Sequence, residues 1–338
     1  MIFRTKAHAR AGLLGNPSDG FGGKTIAFII KNFAAEVTLW ESPELEILDS
    51  AEDRSHFKSV DGLVSQISLY GYYGGVRLIK AAIKKFAEFL AQRGVTLPRR
   101  NFTIRYRSNI PRLVGLGGSS AIVTATMRAL AKFYQQVLPQ GTFPDIPPEL
   151  TPTLVLRAET EELKIPAGLQ DRVIQAYEGL VYMDFSKALL DARGYGDYEP
   201  LPKAALPDVF VAYRAELAEG SEVVHSGLRV RFDRGEPQVV KAMERFASYA
   251  RRGRKALLDG DTAALTKLID ANFDLRQRIS PLNPRQVEMV EAARSLGAPC
   301  KFAGSGGAVV GLYHTQKQYT KLRAAYRKLG CEIIKPKL

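Results

Sequence analysis

The chain has 338 residues, of which 46% are hydrophobic and 25% are charged, as expected for a globular protein of about two domains. It holds no apolar run near the roughly 20 residues of a membrane-spanning helix, and its two cysteines exclude a disulfide framework. The net charge of +13 favours polyanionic partners, either nucleic acid or a nucleotide together with an acidic small substrate.

The first third of the chain reads as strands around one helix. A nearly continuous apolar run at 24–33 and an alternating segment at 34–41 predict strands, as does the alternating segment 101–109. Between them, apolar residues recur at helical spacing over 76–90, and Gly94 supplies a stop. The segment before the first run, 9–23, is a polar, glycine-rich bend between two apolar strands.

Four small residues, Gly117, Gly118, Ser119 and Ser120, lie between a strand that ends at Pro111 and a strongly helical pattern. Glycine costs roughly 1 kcal/mol in a helix, so two of them at a helix start need an explanation. One is a tight turn in which Ser119 or Ser120 serves as the N-cap. The other is a set of backbone N–H groups at the positive helix end that would bind phosphate.

The second half mixes helices and strands without regular alternation. A proline-rich connector, 138–153, precedes a predicted helix, and the polar stretch 186–207 is predicted to separate a domain of residues 1–190 from one of residues 191–338. Helices are predicted near 237–258, 262–278, 284–296 and 316–328, and strands near 180–185, 209–217, 300–314 and 331–336. Since single helices do not regularly separate the strands, the pattern predicts an α+β fold in two lobes.

Two carboxylates stand out after the connector. Glu159 lies near a predicted helix end and Asp171 follows a Pro-Ala-Gly turn. Two carboxylates with a serine-lined phosphate loop would suit Mg²⁺ and ATP, although Glu159 also reads as one of three solvated glutamates. The glycines of 304–307 are either a hairpin turn or backbone that packs against a nucleotide loop.

These segments, in this order, resemble the small-molecule kinases named after galactokinase, homoserine kinase, mevalonate kinase and phosphomevalonate kinase, the GHMP kinases. The resemblance rests on "ARAGLLGNPSD", "PRLVGLGGSSA" and "KFAGSGGAVV" and spans 10–310. It implies an N-terminal ribosomal-protein-like lobe and a C-terminal ferredoxin-like lobe, with ATP and substrate in the cleft between them. It also implies ATP and Mg²⁺ as cofactors.

The resemblance implies roles for particular residues. Asp171 would lie beside the acceptor hydroxyl as base or orienting group, and Arg10 near the transferring phosphoryl group. Glu159 would hold Mg²⁺ together with one of Ser119 and Ser120, and the sequence leaves open which of the two. The residues implied in nucleotide binding are Pro111, Gly115, Leu116, Gly117, Gly118, Ser119, Ser120 and Ala121.

Within the family, "GLLGNPSD", "GYYGGVRL" and "AGLQDRV" resemble the branch that phosphorylates glucuronic acid at its anomeric hydroxyl. The residues expected to contact the substrate are Asn16, Asp19, Tyr72, Tyr73, Arg77, Gly168, Gln170, Arg172 and Gly306. Galactokinases carry a glutamate where this chain has Asn16, and a carboxylate there would repel an anionic sugar.

Three alternatives remain at the level of sequence. They are a kinase for galacturonate, fucose or a heptose, a non-catalytic protein that senses sugar or nucleotide, and a nucleic-acid-binding protein. The last lacks a known aromatic and basic stacking motif, so we expect no nucleic-acid partner. We further expect no membrane partner, a cytoplasmic location, and a monomer or homodimer that binds a sugar acid and ATP.

Overall fold

The structure is a computed structural model that describes residues 1–48, 53, 59, 74–214 and 221–338, and of 221–226 only the backbone. The strands within these ranges are β1 (Ile2–Leu14), β2 (Lys24–Ser42), β3 (Glu46–Leu48), β4 (Asn101–Ser108), β5 (Leu180–Asp184), β6 (Asp197–Leu201), β7 (Val209–Tyr213), β8 (Cys300–Phe302), β9 (Ala308–Leu312) and β10 (Glu332–Ile334). The α-helices are α1 (Gly75–Ala91), α2 (Gly118–Val137), α3 (Thr151–Arg157), α4 (Gln170–Tyr177), α5 (Lys187–Arg193), α6 (Ser221–Asp233), α7 (Pro237–Asp259), α8 (Thr262–Ile279), α9 (Pro284–Arg294) and α10 (Gln316–Lys328).

The strands form two sheets. The first has the order β3-β4-β2-β5-β6, with β1 paired to β2, and only its β3–β4 pair is parallel among the described strands. The second has the antiparallel order β10-β7-β9-β8. Mostly antiparallel sheets with helices beside them confirm the predicted α+β class.

The change from one sheet to the other lies further along the chain than the predicted domain limit. Strand β6, Asp197–Leu201, still pairs with β5 in the first sheet, and the second sheet begins at Val209. Strand β6 lies within the predicted boundary stretch 186–207, and the second sheet begins two residues after that stretch. The division at residue 190 remains a prediction, but residue 190 lies within α5, and β6 after it belongs to the first sheet.

The two predicted segments 24–33 and 34–41 form one 19-residue strand, β2. It carries three extra residues, 31–33, between two stretches of its ladder with β1. Lys337, near the C-terminus, forms hydrogen bonds with two residues of this bulge. The Lys31 N–H donates to the Lys337 carbonyl at 2.7 Å, and the Lys337 N–H donates to Asn32 Oδ1 at 2.8 Å. A β-bulge re-aims the strand it interrupts, and here it also joins the C-terminal tail to the first sheet.

Helix α2 is the buried helix that supports the glycine loop. It packs on α1, β1 and β2, and twelve of its 20 residues are buried. The buried side of β1 opposite it is narrow because Ala7, Ala9 and Ala11 occupy alternate positions of the strand. Small residues let the helix and the strand approach closely, so the N-terminus of α2 lies directly beside Arg10 of β1.

Candidate active site

Arg10 of β1 links the first turn of α4 to the glycine loop. Its Nε and Nη2 donate to Asp171 Oδ1 and Oδ2 at 2.5 and 2.6 Å, and its Nη1 donates to the Gly115 carbonyl at 2.5 Å. Arg10 is only 5% exposed, so dissolved salt should weaken the attraction within this bidentate pair very little. The two residues predicted to be catalytic are therefore in direct contact.

A second ion pair lies beside the first. Glu159 is fully buried, and its Oε2 accepts from Arg172 Nε at 2.8 Å and also from Arg172 Nη2. Its Oε1 accepts from the Ser119 hydroxyl at 2.8 Å. Arg172 Nη1 lies 3.7 Å from Asp171 Oδ2, which joins the two ion pairs into one network.

A π-helical turn, Ala158–Glu162, continues α3 and sets the direction of Glu159. The wider turn places Glu159 inward, whereas Glu161 and Glu162 form surface ion pairs with Lys85 at 2.8 and 3.0 Å. Insertions of this kind are frequent at functional sites. The interpretation of Glu159 as a third solvated glutamate is wrong for this reason.

The glycine loop opens α2 without a serine cap. Leu113, Gly115 and Gly117 all have positive φ angles, of 55°, 72° and 76°, and Gly117 is the N-cap residue. The Ser120 hydroxyl donates back to the Gly117 carbonyl at 3.1 Å, so the N-cap interpretation of the serines is wrong. Among the described side chains none caps the helix, which leaves its first N–H groups directed at the loop.

The second glycine segment, 304–307, packs against the first. A Cβ at Gly304 would lie 2.2 Å from the Gly115 carbonyl oxygen, so this approach requires glycine. Arg276 of α8 fixes the segment by donating from Nη1 to the Gly304 carbonyl and from Nη2 to the Ser305 carbonyl, each at 2.8 Å. The hairpin turn between β8 and β9 is thus also a support for the glycine loop.

The bend after β1 places Asp19 beside the start of α4. Asp19 Oδ2 lies 3.4 Å from the Gln170 N–H, and a Cβ at Gly168 would come within 2.0 Å of the same oxygen. Burial, and then the charge of Asp171, raise the pKa of Asp19 to about 6, against the opposing effect of Arg10. Asp19 therefore shares one electrostatic environment with the Arg10–Asp171 pair.

Asn16 of the same bend is held by two residues of the second half of the chain. Its Oδ1 accepts from Lys301 Nζ at 2.6 Å, and its carbonyl accepts from Asn272 Nδ2 at 3.1 Å. Asn272 Oδ1 in turn accepts from the Gly15 N–H at 2.8 Å. These contacts fix the bend against β8 and α8.

Comparisons with known proteins agree with this arrangement. The sequence matches the family models described as GHMP kinases N terminal domain, over 77–179, and GHMP kinases C terminal, over 254–331. Glucuronokinase 1 of Arabidopsis thaliana is 43% identical over 309 residues, which is 90% of this chain and 83% of that protein. The chain belongs to the GHMP kinases.

Two further GHMP kinases extend the comparison. Probable glucuronokinase 2 of Arabidopsis thaliana is 44% identical over 314 residues, which cover 91% of this chain and 84% of that protein. The crystal structure of Lactococcus lactis galactokinase complexed with galactose has a TM-score of 0.74 at 13% identity, covering 100% of this chain and 93% of that one. The second likeness confirms the two-domain fold expected from the sequence.

Many of the predicted site residues of this GHMP kinase converge on the network described above. Tyr72 and Tyr73 lie outside the described residues. Arg77 lies in the first turn of α1, and its contact with a sugar remains a prediction. Gly306, by contrast, lies in the supporting turn, where a Cβ would be 2.3 Å from Gln286 Oε1.

Arg172 has a different role from the predicted one. It was expected to meet the substrate, but it is 4% exposed, and its donors are directed to Glu159 and to the Gly168 carbonyl at 2.8 Å. Arg172 reaches Glu159, which lies 13 positions earlier in the chain, from the first turn of α4. The arginine fork therefore neutralises the buried carboxylate of the kinase and does not point at a sugar acid.

Sequence analysis missed four side chains that support the site, Asn272, Gln175, Arg276 and Lys301. Gln175 Nε2 of α4 donates to the Gly117 carbonyl at 2.8 Å and thereby ties α4 to the glycine loop. Nothing in the sequence marks these residues except that Lys301 is the first residue of the motif KFAGSGGAVV. Within the part of the chain that the structure describes, no helix is long and apolar enough to cross a membrane.

Proposed function

We propose that the chain is an ATP-dependent kinase that phosphorylates the anomeric hydroxyl of D-glucuronate. The observation that carries the proposal is the Arg10–Asp171 pair, which is joined through Gly115 to the glycine loop. It places a carboxylate for an acceptor hydroxyl and a cation for a phosphoryl group side by side. The choice of glucuronate rests on the two Arabidopsis relatives, which are 43% and 44% identical over most of the chain.

The phosphates of ATP would lie at the N-terminus of α2. The first N–H groups of this helix carry the positive end of its dipole, and positive φ angles at Gly115 and Gly117 let the backbone approach an anion. Helix α2 and the 304–307 turn hold this loop from two sides. The loop can therefore bind phosphate with little rearrangement.

Ser119 and Glu159 fit a magnesium ion. Their oxygens are 2.8 Å apart, and hard oxygen ligands of this kind suit Mg²⁺. Within the described residues, no three or more His, Cys, Asp or Glu side chains form a group that could hold a metal ion by themselves. The ion would therefore keep water and phosphate oxygens as its other ligands, and when bound it would neutralise phosphate charge.

Asp171 would orient the acceptor. A carboxylate offers about four acceptor positions, so Asp171 can accept from Arg10 and from the anomeric hydroxyl together. The sugar oxygen then forms a bond to the γ-phosphorus while the bond to the bridging oxygen breaks and ADP leaves. Arg10 contacts both carboxylate oxygens of Asp171. We assign Asp171 to positioning the acceptor hydroxyl and accepting its proton, and Arg10 to stabilising the charge on the transferred phosphoryl group.

A substrate panel tests the function. The purified protein is incubated with ATP, Mg²⁺ and one of glucuronate, galacturonate, glucose, galactose, fucose or a heptose, and ADP release and the position of the new phosphate are measured. We expect the highest kcat/KM for glucuronate, with phosphate at the anomeric carbon. A preference for a neutral sugar would contradict the glucuronate assignment, and no turnover with any sugar would favour a sensor.

The two loop serines are expected to differ. Ser119→Ala removes the hydroxyl that contacts Glu159, so it should raise the Mg²⁺ concentration needed for half-maximal activity and lower turnover. Ser120→Ala removes only a bond within the loop and should leave the Mg²⁺ titration unchanged. Equal effects of the two substitutions would deny Ser119 a role at the metal.

The cytoplasmic location and the monomeric or homodimeric state expected from the sequence remain parts of this proposal. Size-exclusion chromatography with light scattering would decide the oligomeric state directly.

A further inference from the structure

Lys301 of β8 is a buried side chain whose amine contacts the bend after β1, the bend that carries Asn16 and Asp19. It is 1% exposed, and its Nζ donates to three oxygens, the Gly12 carbonyl at 2.7 Å, Asn16 Oδ1 at 2.6 Å and the Phe302 carbonyl at 2.8 Å. Three donated bonds require three N–H groups, which only the protonated amine has. The three acceptor oxygens around Nζ favour the charged amine, whereas burial and the charges of Arg276 and Arg10 oppose it.

The charge of Lys301 is not compensated by an acid. Among the side chains that the structure describes, no carboxylate forms an ion pair with it, and its three acceptors are all neutral. Burial, and then Arg276 and Arg10, lower the pKa of Lys301 well below its usual range. A buried cation in this position gains from an anion placed nearby.

Two other buried cations of the site differ in this respect, whereas Arg276, like Lys301, donates to backbone carbonyls in the described contacts. Arg10 is paired with Asp171, and Arg172 is paired with Glu159. Lys301 instead meets the neutral side chain of Asn16. A glutamate beside Lys301 would cancel its charge, whereas asparagine keeps the hydrogen bond and leaves the charge uncancelled.

We propose that Lys301, acting through Asn16, is the residue that gives this kinase its preference for an anionic over a neutral sugar. The inference rests on the proposed function. Lys301 does not touch the sugar; it provides positive potential beneath the bend that holds Asn16 and Asp19. In a buried setting such a charge is screened weakly, so it acts on a uronate carboxylate across the bend.

The test uses two substrates of the same shape and different charge, D-glucuronate and D-glucuronamide. The quantity measured is the ratio of their kcat/KM values. Lys301→Gln removes the ammonium, and Asn16→Asp pairs it with a carboxylate of nearly the same shape as asparagine. Each change lowers the net charge by one unit, since Lys301→Gln removes a positive charge and Asn16→Asp adds a negative one, so each should lower the ratio by roughly ten-fold or more, mainly through KM for glucuronate.

Asn272→Ala is the matched control, because Asn272 holds the same bend through neutral hydrogen bonds. It should weaken both substrates equally and leave the ratio unchanged. An unchanged ratio in Asn16→Asp and Lys301→Gln, with equal losses for both substrates, would overturn the inference and leave Lys301 a purely structural role. If Lys301→Gln does not fold, Lys301→Met, which keeps the length of the side chain without its charge, takes its place, because Asn16→Asp alone does not separate loss of the Lys301 charge from direct repulsion by the new carboxylate.

The failure of this inference is distinct from failure of the proposed function. Wild-type protein that does not prefer glucuronate in the sugar panel refutes the function, whatever the variants do. Wild-type protein that prefers glucuronate to glucuronamide, with variants that keep that preference, refutes only the assignment to Lys301.

Discussion

Asp171→Asn is expected to lower turnover by about 10²–10⁴-fold, the usual contribution of a positioned acid–base group. The substituted amide keeps one oxygen acceptor for Arg10 but cannot take a proton from the acceptor hydroxyl. The fold should be kept, because asparagine has nearly the shape of aspartate and still accepts from Arg10, although the loss of charge beside the buried guanidinium should cost some stability. The measurement is kcat for ADP release, together with nucleotide affinity from titration, which should change little.

Asp184→Asn provides a control for the loss of a paired, partly exposed carboxylate. Asp184 forms an ion pair with Lys24 at the end of β5, and its side chain is 20% exposed. Its substitution should leave kcat near the wild-type value. If Asp171→Asn were equally active, Asp171 would have no part in the reaction, and the Arg10 pair would be structural.

The sequence was sufficient for features that depend on local pattern. The strand, glycine loop and helix around Gly117 were predicted because apolar periodicity and glycine placement are local signals. In the structure the helix begins at Gly118, within the four small residues 117–120. Strand β6 and helix α5 were missed because their segment, 186–207, is polar and rich in glycine and proline, and its strand forms only by pairing with β5.

The contacts that define the site could not be predicted in the same way. Arg10 and Asp171 are 161 positions apart, and Lys301 and Asn16 are 285 positions apart, so only the closed fold brings them together. The direction of Glu159 depends on a π-helical turn that no periodicity marks. Family resemblance named Arg10, Asp171 and Glu159, but it did not say which arginine neutralises which carboxylate.

The pairing of Glu159 with Arg172 leads to the second large expected effect. Glu159→Gln should lower the free energy of unfolding by about 3–5 kcal/mol, because it leaves the buried guanidinium of Arg172 without a compensating charge. Neither group can regain water, since both side chains are almost entirely buried. The measurement is the midpoint of urea unfolding, or Tm by calorimetry.

A second consequence of Glu159→Gln concerns the metal. The amide oxygen can still accept from Ser119, but it is neutral, so the Mg²⁺ requirement should rise as well. The Mg²⁺ titration is therefore measured at a temperature at which the variant remains folded.

Glu162→Gln is the matched control, since Glu162 belongs to the same π-helical turn but forms surface ion pairs with Lys84 and Lys85 at 2.6 and 3.0 Å. Ion pairs near the protein surface contribute little to stability, so this variant should unfold near the wild-type midpoint and keep its Mg²⁺ titration. Equal stability losses in the two variants would mean that burial of the Glu159–Arg172 pair is energetically unimportant. A stability loss in Glu159→Gln with an unchanged Mg²⁺ titration would instead make Glu159 a structural partner of Arg172, and Mg²⁺ would have to be held by Ser119 and the phosphates alone.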